Sequence, residues 1–149
     1  MKARKRDRCV PSHPDVILAM RAAGLRSSGR RRDIVSQSVG RTRGIVPSLN
    51  RFPKRRLAWE ALLERRLLRL CVFSHSVMDV QTEPAGLLIP HSDEQDSPDF
   101  EYFADAALAI LRTPGRTETV LAECKPRCFA NAPDVRQRLE RIGQVLARS

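Results

Sequence analysis

The chain has 149 residues and a net charge of +10, and its 42% hydrophobic content predicts one domain with a modest, mainly aliphatic core. It contains no run of about 18 apolar residues, so we expect no membrane span. Because the charged N-terminus lacks the apolar stretch of a secretory signal, we expect a cytoplasmic protein.

The charge is unevenly distributed along the chain. Residues 1–56 hold 16 Lys or Arg and 3 Asp or Glu, a net +13, whereas residues 57–149 hold 11 and 14, a net −3. This asymmetry predicts a basic N-terminal arm, which we place at residues 1–32, followed by a domain at 33–149. The arm should contain one short helix. A basic arm is typical of proteins that bind nucleic acid. A solvated, partly disordered tail is the alternative for residues 1–12.

The four cysteines do not form a recognisable zinc motif. Cys9, Cys71, Cys124 and Cys128 include no Cys-x-x-Cys pair, so we expect reduced thiols, some of them buried. The basic, Gly- and Pro-containing stretch at 38–56 also lacks a Walker pattern, which argues against a nucleotide-binding loop.

Apolar periodicity predicts helices at 14–24, 57–73 and 133–147. In the second of these, Glu64 falls inside the apolar stripe with Leu57 and Leu68, opposite the arginines. A carboxylate in such a stripe is costly unless a cation or a hydrogen-bond network receives it. Glu64 is therefore a candidate metal ligand. The alternative is a glutamate at the edge of the stripe that reaches solvent, which fits Glu60 better.

Strands are predicted at 77–82 and 86–90, and a polar loop at 91–99 precedes a β-hairpin at 102–126. The Pro114-Gly115 turn of this hairpin should place Leu111 opposite Thr117 or Glu118. The resulting order of helix, strands, hairpin and helix predicts a mixed α/β sheet with the acidic helix packed on it.

The same register brings three charged side chains together. Asp105 falls opposite Glu123 or its neighbour, and Glu123 and Lys125 share one face if both lie on a strand. An acid followed eighteen residues later by Glu-x-Lys is the D…(D/E)xK pattern of metal-dependent nucleases. An exposed hairpin face with an ordinary ion pair is the alternative.

Several ordered motifs extend this pattern into a family resemblance. Between residues 33 and 147 the chain resembles the N-terminal nuclease domain of TnsA-type endonuclease subunits of heteromeric transposases, which belong to the PD-(D/E)xK superfamily. The motifs are GRTRGIVPSL at 40–49, WEALLER at 59–65, VQTEP at 80–84, YFAD at 102–105 and ECKP at 123–126.

The resemblance implies a restriction-endonuclease-like fold and a Mg²⁺-dependent cut of one strand of double-stranded DNA at transposon ends. It also implies a DDE-type transposase subunit as partner and an AAA+ transposition regulator as a further one. In its terms Glu64, Asp105 and Glu123 would be the metal ligands, and Lys125 would complete the catalytic set. Hard oxygen ligands suit Mg²⁺.

The chain departs from the family pattern in two ways. Ala104 stands where the family has Pro, and Pro98-Asp99 offers a second candidate for the metal-binding aspartate. Hairpin register favours Asp105, because in the same register Asp99 would lie opposite about residue 129, beyond the Glu-x-Lys motif. Only 24 residues follow Lys125, too few for the further strand and the helical domain of many relatives.

These departures leave two other functions open. One is a catalytically inactive, truncated remnant that binds DNA or a transposase partner. The other is a restriction-like or junction-resolving nuclease that acts alone.

Overall fold

The computed structural model describes residues 9–32, 43–53, 55–91 and 99–148. The strands and helices in chain order are β1 Cys9–Pro11, α1 Pro14–Ala22, β2 Arg30–Arg32, β3 Gly44–Val46, β4 Leu57–Trp59, α2 Leu62–Phe73, β5 Val77–Gln81, β6 Leu87–Pro90, β7 Asp99–Tyr102, β8 Ala106–Thr113, β9 Arg116–Ala122, α3 Arg127–Ala130 and α4 Pro133–Ala147.

The chain divides into two compact units, each with its own strands and helices. Unit 1 comprises residues 1–10, 32–84 and 104–124, and unit 2 comprises residues 11–31, 85–103 and 125–149. The predicted division into an arm at 1–32 and a nuclease-like domain at 33–149 does not coincide with these units.

Unit 1 is organised around the antiparallel sheet β5-β8-β9, with β8 in the centre. Helix α2 contributes Leu68, Cys71 and Val72 to the buried core, and alternate β8 residues Ala106 and Leu108 contribute from the sheet. The alternation follows from the two-residue period of a strand, which turns every second side chain to the same face. The sheet and α2 thus bury one another's apolar faces.

The predicted helix at 57–73 begins later than expected, at Leu62. Residues Leu57–Trp59 instead form β4, which pairs with β3 and is buried at all three positions. Gly44 makes the pairing possible, since a Cβ atom there would lie 2.7 Å from the Trp59 ring. A short apolar run fits a buried strand as well as a first helical turn, and here the pairing with β3 decides.

Unit 2 contains the antiparallel pair β6–β7 and helix α4. Helix α4 contacts β6, and its Arg141 Nε donates a hydrogen bond to the Pro90 carbonyl at 3.2 Å. The predicted hairpin strand starting at residue 102 is wrong at this end, because Tyr102 closes β7 opposite Leu87 and β8 starts at Ala106. The helices predicted at 14–24 and 133–147 are confirmed as α1 and α4.

The fold is mixed α/β, with several antiparallel sheets flanked by helices, as the sequence predicts. None of the helices in the described ranges is long and apolar enough to cross a membrane.

Candidate functional site

The β8–β9 hairpin has the register that the sequence predicts. Gly115 in the turn has φ +78°, a conformation that glycine adopts without steric cost, and Leu111 lies opposite Thr117. Ala106 pairs with Ala122, and the Asp105 N–H donates to the Ala122 carbonyl at 3.0 Å. The pairing therefore continues to Asp105, which lies beside the Glu123 end of β9.

Asp105 is held at the start of β8 by two donors. Its Oδ1 accepts from the Arg32 guanidinium at 2.9 Å, and its Oδ2 accepts from the Cys124 backbone N–H at 2.6 Å. Its side chain is only 9% exposed. The two donors supply the hydrogen bonds that a carboxylate this buried requires.

The prediction that Glu123 and Lys125 lie on a strand and share one of its faces is wrong. Strand β9 ends at Ala122, so Glu123 and Lys125 both follow it in irregular chain. The Asp105 carboxylate, rather than a backbone carbonyl, receives the Cys124 N–H, and Pro126 has no N–H with which to continue a ladder. Glu123 is half-buried, whereas Lys125 is exposed and begins the last segment of unit 2.

Three carboxylates act on the Cys124 thiol. Burial, followed by the negative charges of Asp105, Glu64 and Glu123, raises the pKa of Cys124 to about 11. A neighbouring negative charge disfavours a thiolate only over a short distance. The negative charges of all three predicted metal ligands therefore act at Cys124, next to the end of β9.

Glu64 has a structural role that sequence analysis missed. It lies in the first turn of α2, and its Oε2 accepts the Glu60 backbone N–H at 2.7 Å. This bond resembles half of a capping box, in which a glutamate in the first turn reaches back toward the helix start. The cap residue Ala61 offers no side-chain oxygen of its own. Glu64 thus caps α2 and is half-buried rather than part of the core.

The environment of Glu64 favours its neutral form. Burial is the largest cause that raises the pKa of Glu64, and the charges of Asp105 and Glu60 add to it. The hydrogen bond from the Glu60 N–H and the charge of Arg32 oppose the rise but do not cancel it. A carboxylate in this state would gain from any additional cation nearby.

Glu60 does not behave as the predicted solvent-facing edge residue. Its carboxylate pairs with Arg43 at 3.3 Å, and its side chain is 17% exposed. Arg43 comes from the basic stretch before β3, so the partner is distant in sequence rather than on the same helix. The ion pair removes one carboxylate from competition for a metal.

Asp99, the rival for the aspartate role, belongs to unit 2. It pairs with Pro90 across β6–β7, rather than lying opposite residue 129, and forms an ion pair with Arg26 at 2.7 Å. Its neighbours are accounted for by this strand pair, whereas Asp105 is grouped with Glu64 and Glu123. The prediction that Asp99 lies opposite about residue 129 is thus wrong, and the choice of Asp105 over Asp99 as metal ligand stays a prediction; Pro98 lies outside the described residues.

Arg32 contacts this group of carboxylates, which sequence analysis did not predict. Its guanidinium contacts the Asp105 carboxylate and the Ala104 carbonyl at 3.3 Å, with 19% of the side chain exposed. Burial would lower the pKa of Arg32, but the hydrogen bond to Asp105 and the charges of Asp105, Glu60 and Glu64 outweigh it and raise the pKa. A cation thus already lies on the carboxylate cluster.

The cluster fits Mg²⁺ in its chemistry but does not present a formed metal site. Carboxylate oxygens are the ligands that Mg²⁺ takes in proteins, and the charge of Arg32 marks a position that favours a cation. In the part of the chain that the structure describes, however, no three acidic, cysteine or histidine side chains are arranged to hold a metal ion. Metal binding would require the side chains around Asp105 to rearrange.

Comparison with protein-family models, curated proteins and solved structures found no match.

Proposed function

We propose that this chain is a Mg²⁺-dependent DNA endonuclease, a TnsA-type subunit that cuts one strand at transposon ends beside a DDE-type transposase subunit. The observation that supports the proposal is the position of Asp105 at the end of the hairpin, where its Oδ2 accepts the backbone N–H of Cys124, the residue after Glu123, at 2.6 Å. The charges of Glu64 and Glu123 act on the Cys124 thiol together with that of Asp105. An ordinary ion pair on a hairpin does not need a second and third carboxylate.

The roles of the residues follow from their chemistry. Asp105, Glu64 and Glu123 would hold the metal, which lowers the pKa of a water molecule and offsets charge on the phosphate. The Lys125 amine would orient or deprotonate that water and add positive charge near the phosphate. The D…(D/E)xK pattern thus supplies carboxylates for the metal and an amine for the water.

Exposed arginines on α2 support DNA as the substrate. Arg65, Arg66 and Arg69 are all exposed, and the Arg65 guanidinium lies 5.6 Å from the centre of the Trp59 ring. Side chains of this type contact phosphate oxygens and fix a protein on the duplex without reading its sequence. Together with the basic N-terminal residues, they give a mildly acidic catalytic region a means to hold a polyanion.

A second candidate function is a catalytically inactive subunit that binds DNA or the transposase. The observation that favours it is the Arg32–Asp105 ion pair, which already neutralises the central carboxylate. In a protein that never binds a metal, Arg32 would be the permanent partner of Asp105, and removal of either side chain would leave the other as an uncompensated buried charge.

A nicking assay separates these functions. Supercoiled plasmid carrying transposon ends is incubated near neutral pH with Mg²⁺ or with EDTA, with and without a DDE-type transposase subunit and an AAA+ regulator. The proposal expects Mg²⁺-dependent nicks that need the transposase subunit. Nicks made without that subunit would indicate a nuclease that acts alone, and a lack of nicks in every mixture would favour the inactive subunit.

A further inference from the structure

Arg32 competes for the same carboxylate that the proposed metal needs. The Arg32 guanidinium is 2.9 Å from Asp105 Oδ1, and the Cys124 N–H is 2.6 Å from Oδ2. Each oxygen retains a second lone pair, so the donor count alone does not exclude a metal. A divalent cation bound to Asp105 would, however, lie next to the Arg32 guanidinium. The two positive charges would then repel each other, and this repulsion is strong where little water screens it.

Several contacts keep Arg32 paired with Asp105 in the metal-free protein. Arg32 also donates to the Ala104 carbonyl, and the negative charges of Glu60 and Glu64 act on it in addition to that of Asp105. Arg32 is the last residue of β2, and both side chains of the pair are largely shielded from water, with 19% and 9% exposed. Shielded pairs are screened little by salt, unlike most surface pairs.

We propose that Arg32 is a built-in competitor for the metal: it neutralises Asp105 in the metal-free protein, and Mg²⁺ binds only when the Arg32–Asp105 ion pair opens. This inference rests on the proposed function, because it assumes that Asp105 is a metal ligand. It makes metal affinity a property of Arg32 as well as of the acidic residues. The chain would then bind Mg²⁺ weakly until some event releases Arg32.

The test is Mg²⁺ binding to the full chain without DNA, measured as heat by titration calorimetry and as the shift in melting temperature. Arg32→Gln removes the competing charge and should lower the Kd for Mg²⁺ roughly 10-fold to 100-fold, the range expected for loss of a hydrogen bond to a charged group. Arg32→Lys keeps a charge but loses the planar fork, so its Kd should lie between those of Arg32→Gln and the parent.

Arg55→Gln is the matched control. Arg55, like Arg32, forms an ion pair with an aspartate of unit 1; its Nε and Nη2 lie 3.0 and 2.6 Å from the Asp79 carboxylate oxygens. Its replacement should leave the Kd for Mg²⁺ unchanged. If Arg32→Gln does not fold, Arg32→Met, which also removes the charge, takes its place, and a Kd for Mg²⁺ equal to that of the parent in this variant would contradict the competition.

The outcomes distinguish this inference from the proposed function. If the parent and both Arg32 variants bind Mg²⁺ with the same Kd, and Asp105→Asn abolishes binding, Asp105 is a ligand and Arg32 is not a competitor. That result overturns the inference and leaves the nuclease proposal standing. If none of the proteins binds Mg²⁺, both are overturned.

Discussion

Glu64→Gln separates the two roles that the structure offers for this residue. The amide oxygen of glutamine can still accept the Glu60 N–H, so the cap on α2 is retained in a weaker, neutral form. The negative charge near Asp105 is lost. A change that preserves the cap but removes a metal ligand should therefore affect metal binding more than folding.

The effect on folding depends on pH with a definite sign. The folded-state pKa of Glu64 is raised, mainly by burial and then by the charges of Asp105 and Glu60. A raised carboxyl pKa means that the folded state binds the proton more tightly, so ionised Glu64 destabilises the fold above that pKa and costs nothing below the unfolded pKa. The Glu64→Gln variant should therefore gain stability relative to the parent as pH rises through the folded pKa.

The net change in stability at neutral pH should be small. Exchange of a charged acceptor for a neutral one loses about 1 kcal/mol, whereas relief of burial and of the repulsion by Asp105 and Glu60 acts in the opposite direction. Stability without metal consequently does not distinguish a cap from a ligand. The shift caused by Mg²⁺ does, because only the ligand role predicts a difference.

The size of that shift follows from linkage. At a Mg²⁺ concentration of about 100 times the parent Kd, binding adds about 2.7 kcal/mol to the free energy of unfolding, or roughly 5–10 °C in melting temperature for a chain of this length. If loss of one ligand weakens binding about 10-fold, as loss of a supporting group does at metal sites, the added free energy falls to about 1.4 kcal/mol. The melting-temperature shift should be roughly halved.

The assay is thermal unfolding of the parent, Glu64→Gln and Glu118→Gln, each with and without Mg²⁺. Glu118 is an exposed β9 residue that pairs with Arg112 at 2.6 Å, so it controls for loss of a carboxylate away from the cluster. Equal Mg²⁺ shifts in all three proteins would remove Glu64 from the metal site and leave it as a helix cap.

Three further outcomes are expected. Asp99→Ala should retain cleavage and Mg²⁺ binding, because Asp99 is paired with Arg26 in unit 2; loss of nicking would return it to the site. Deletion of residues 1–8, which hold five basic residues and one acidic residue, should make the slope of log K against log[salt] for DNA binding shallower by about 0.9 for each phosphate that these residues neutralise, and an identical slope would show that they do not bind DNA. The hydrogen bond from Arg55 lowers the pKa of Asp79. The pair therefore stabilises the fold above the unfolded pKa of Asp79, and this contribution is lost as pH falls through the lowered folded pKa. Urea unfolding should show Arg55→Gln less stable than the parent by about 0.5 kcal/mol near neutral pH, and this difference should disappear in acid.

The hairpin was predictable because its information is local. A Pro-Gly turn between two apolar runs fixes the pairing of the flanking residues, and Leu111 accordingly lies opposite Thr117. The same register brings Asp105 to Glu123 without any knowledge of the rest of the fold. Helix α4 was predictable for a similar reason, because its apolar positions repeat with helical spacing over 15 residues.

The parts that sequence analysis missed depend on distant partners. Trp59 forms a strand only because Gly44 leaves room for its ring. Arg32 and Asp105 are 73 positions apart, and nothing in a run of arginines marks the one that pairs with a buried aspartate. Strand β9 likewise ends at Ala122 because the Cys124 N–H donates to the side chain of Asp105 and not to the backbone of a neighbouring strand.

Mg²⁺-dependent nicking by two single variants tests most directly whether Asp105 and Lys125 belong to the active site of a DNA endonuclease. With the transposase subunit present, the parent should nick plasmid in Mg²⁺, while Asp105→Ala and Lys125→Ala should be slower by at least about 100-fold, since metal ligation and water activation contribute several kcal/mol to the transition state. Circular dichroism would confirm that both variants are folded. Nicking at the parental rate by both folded variants would contradict the assignment of the active site.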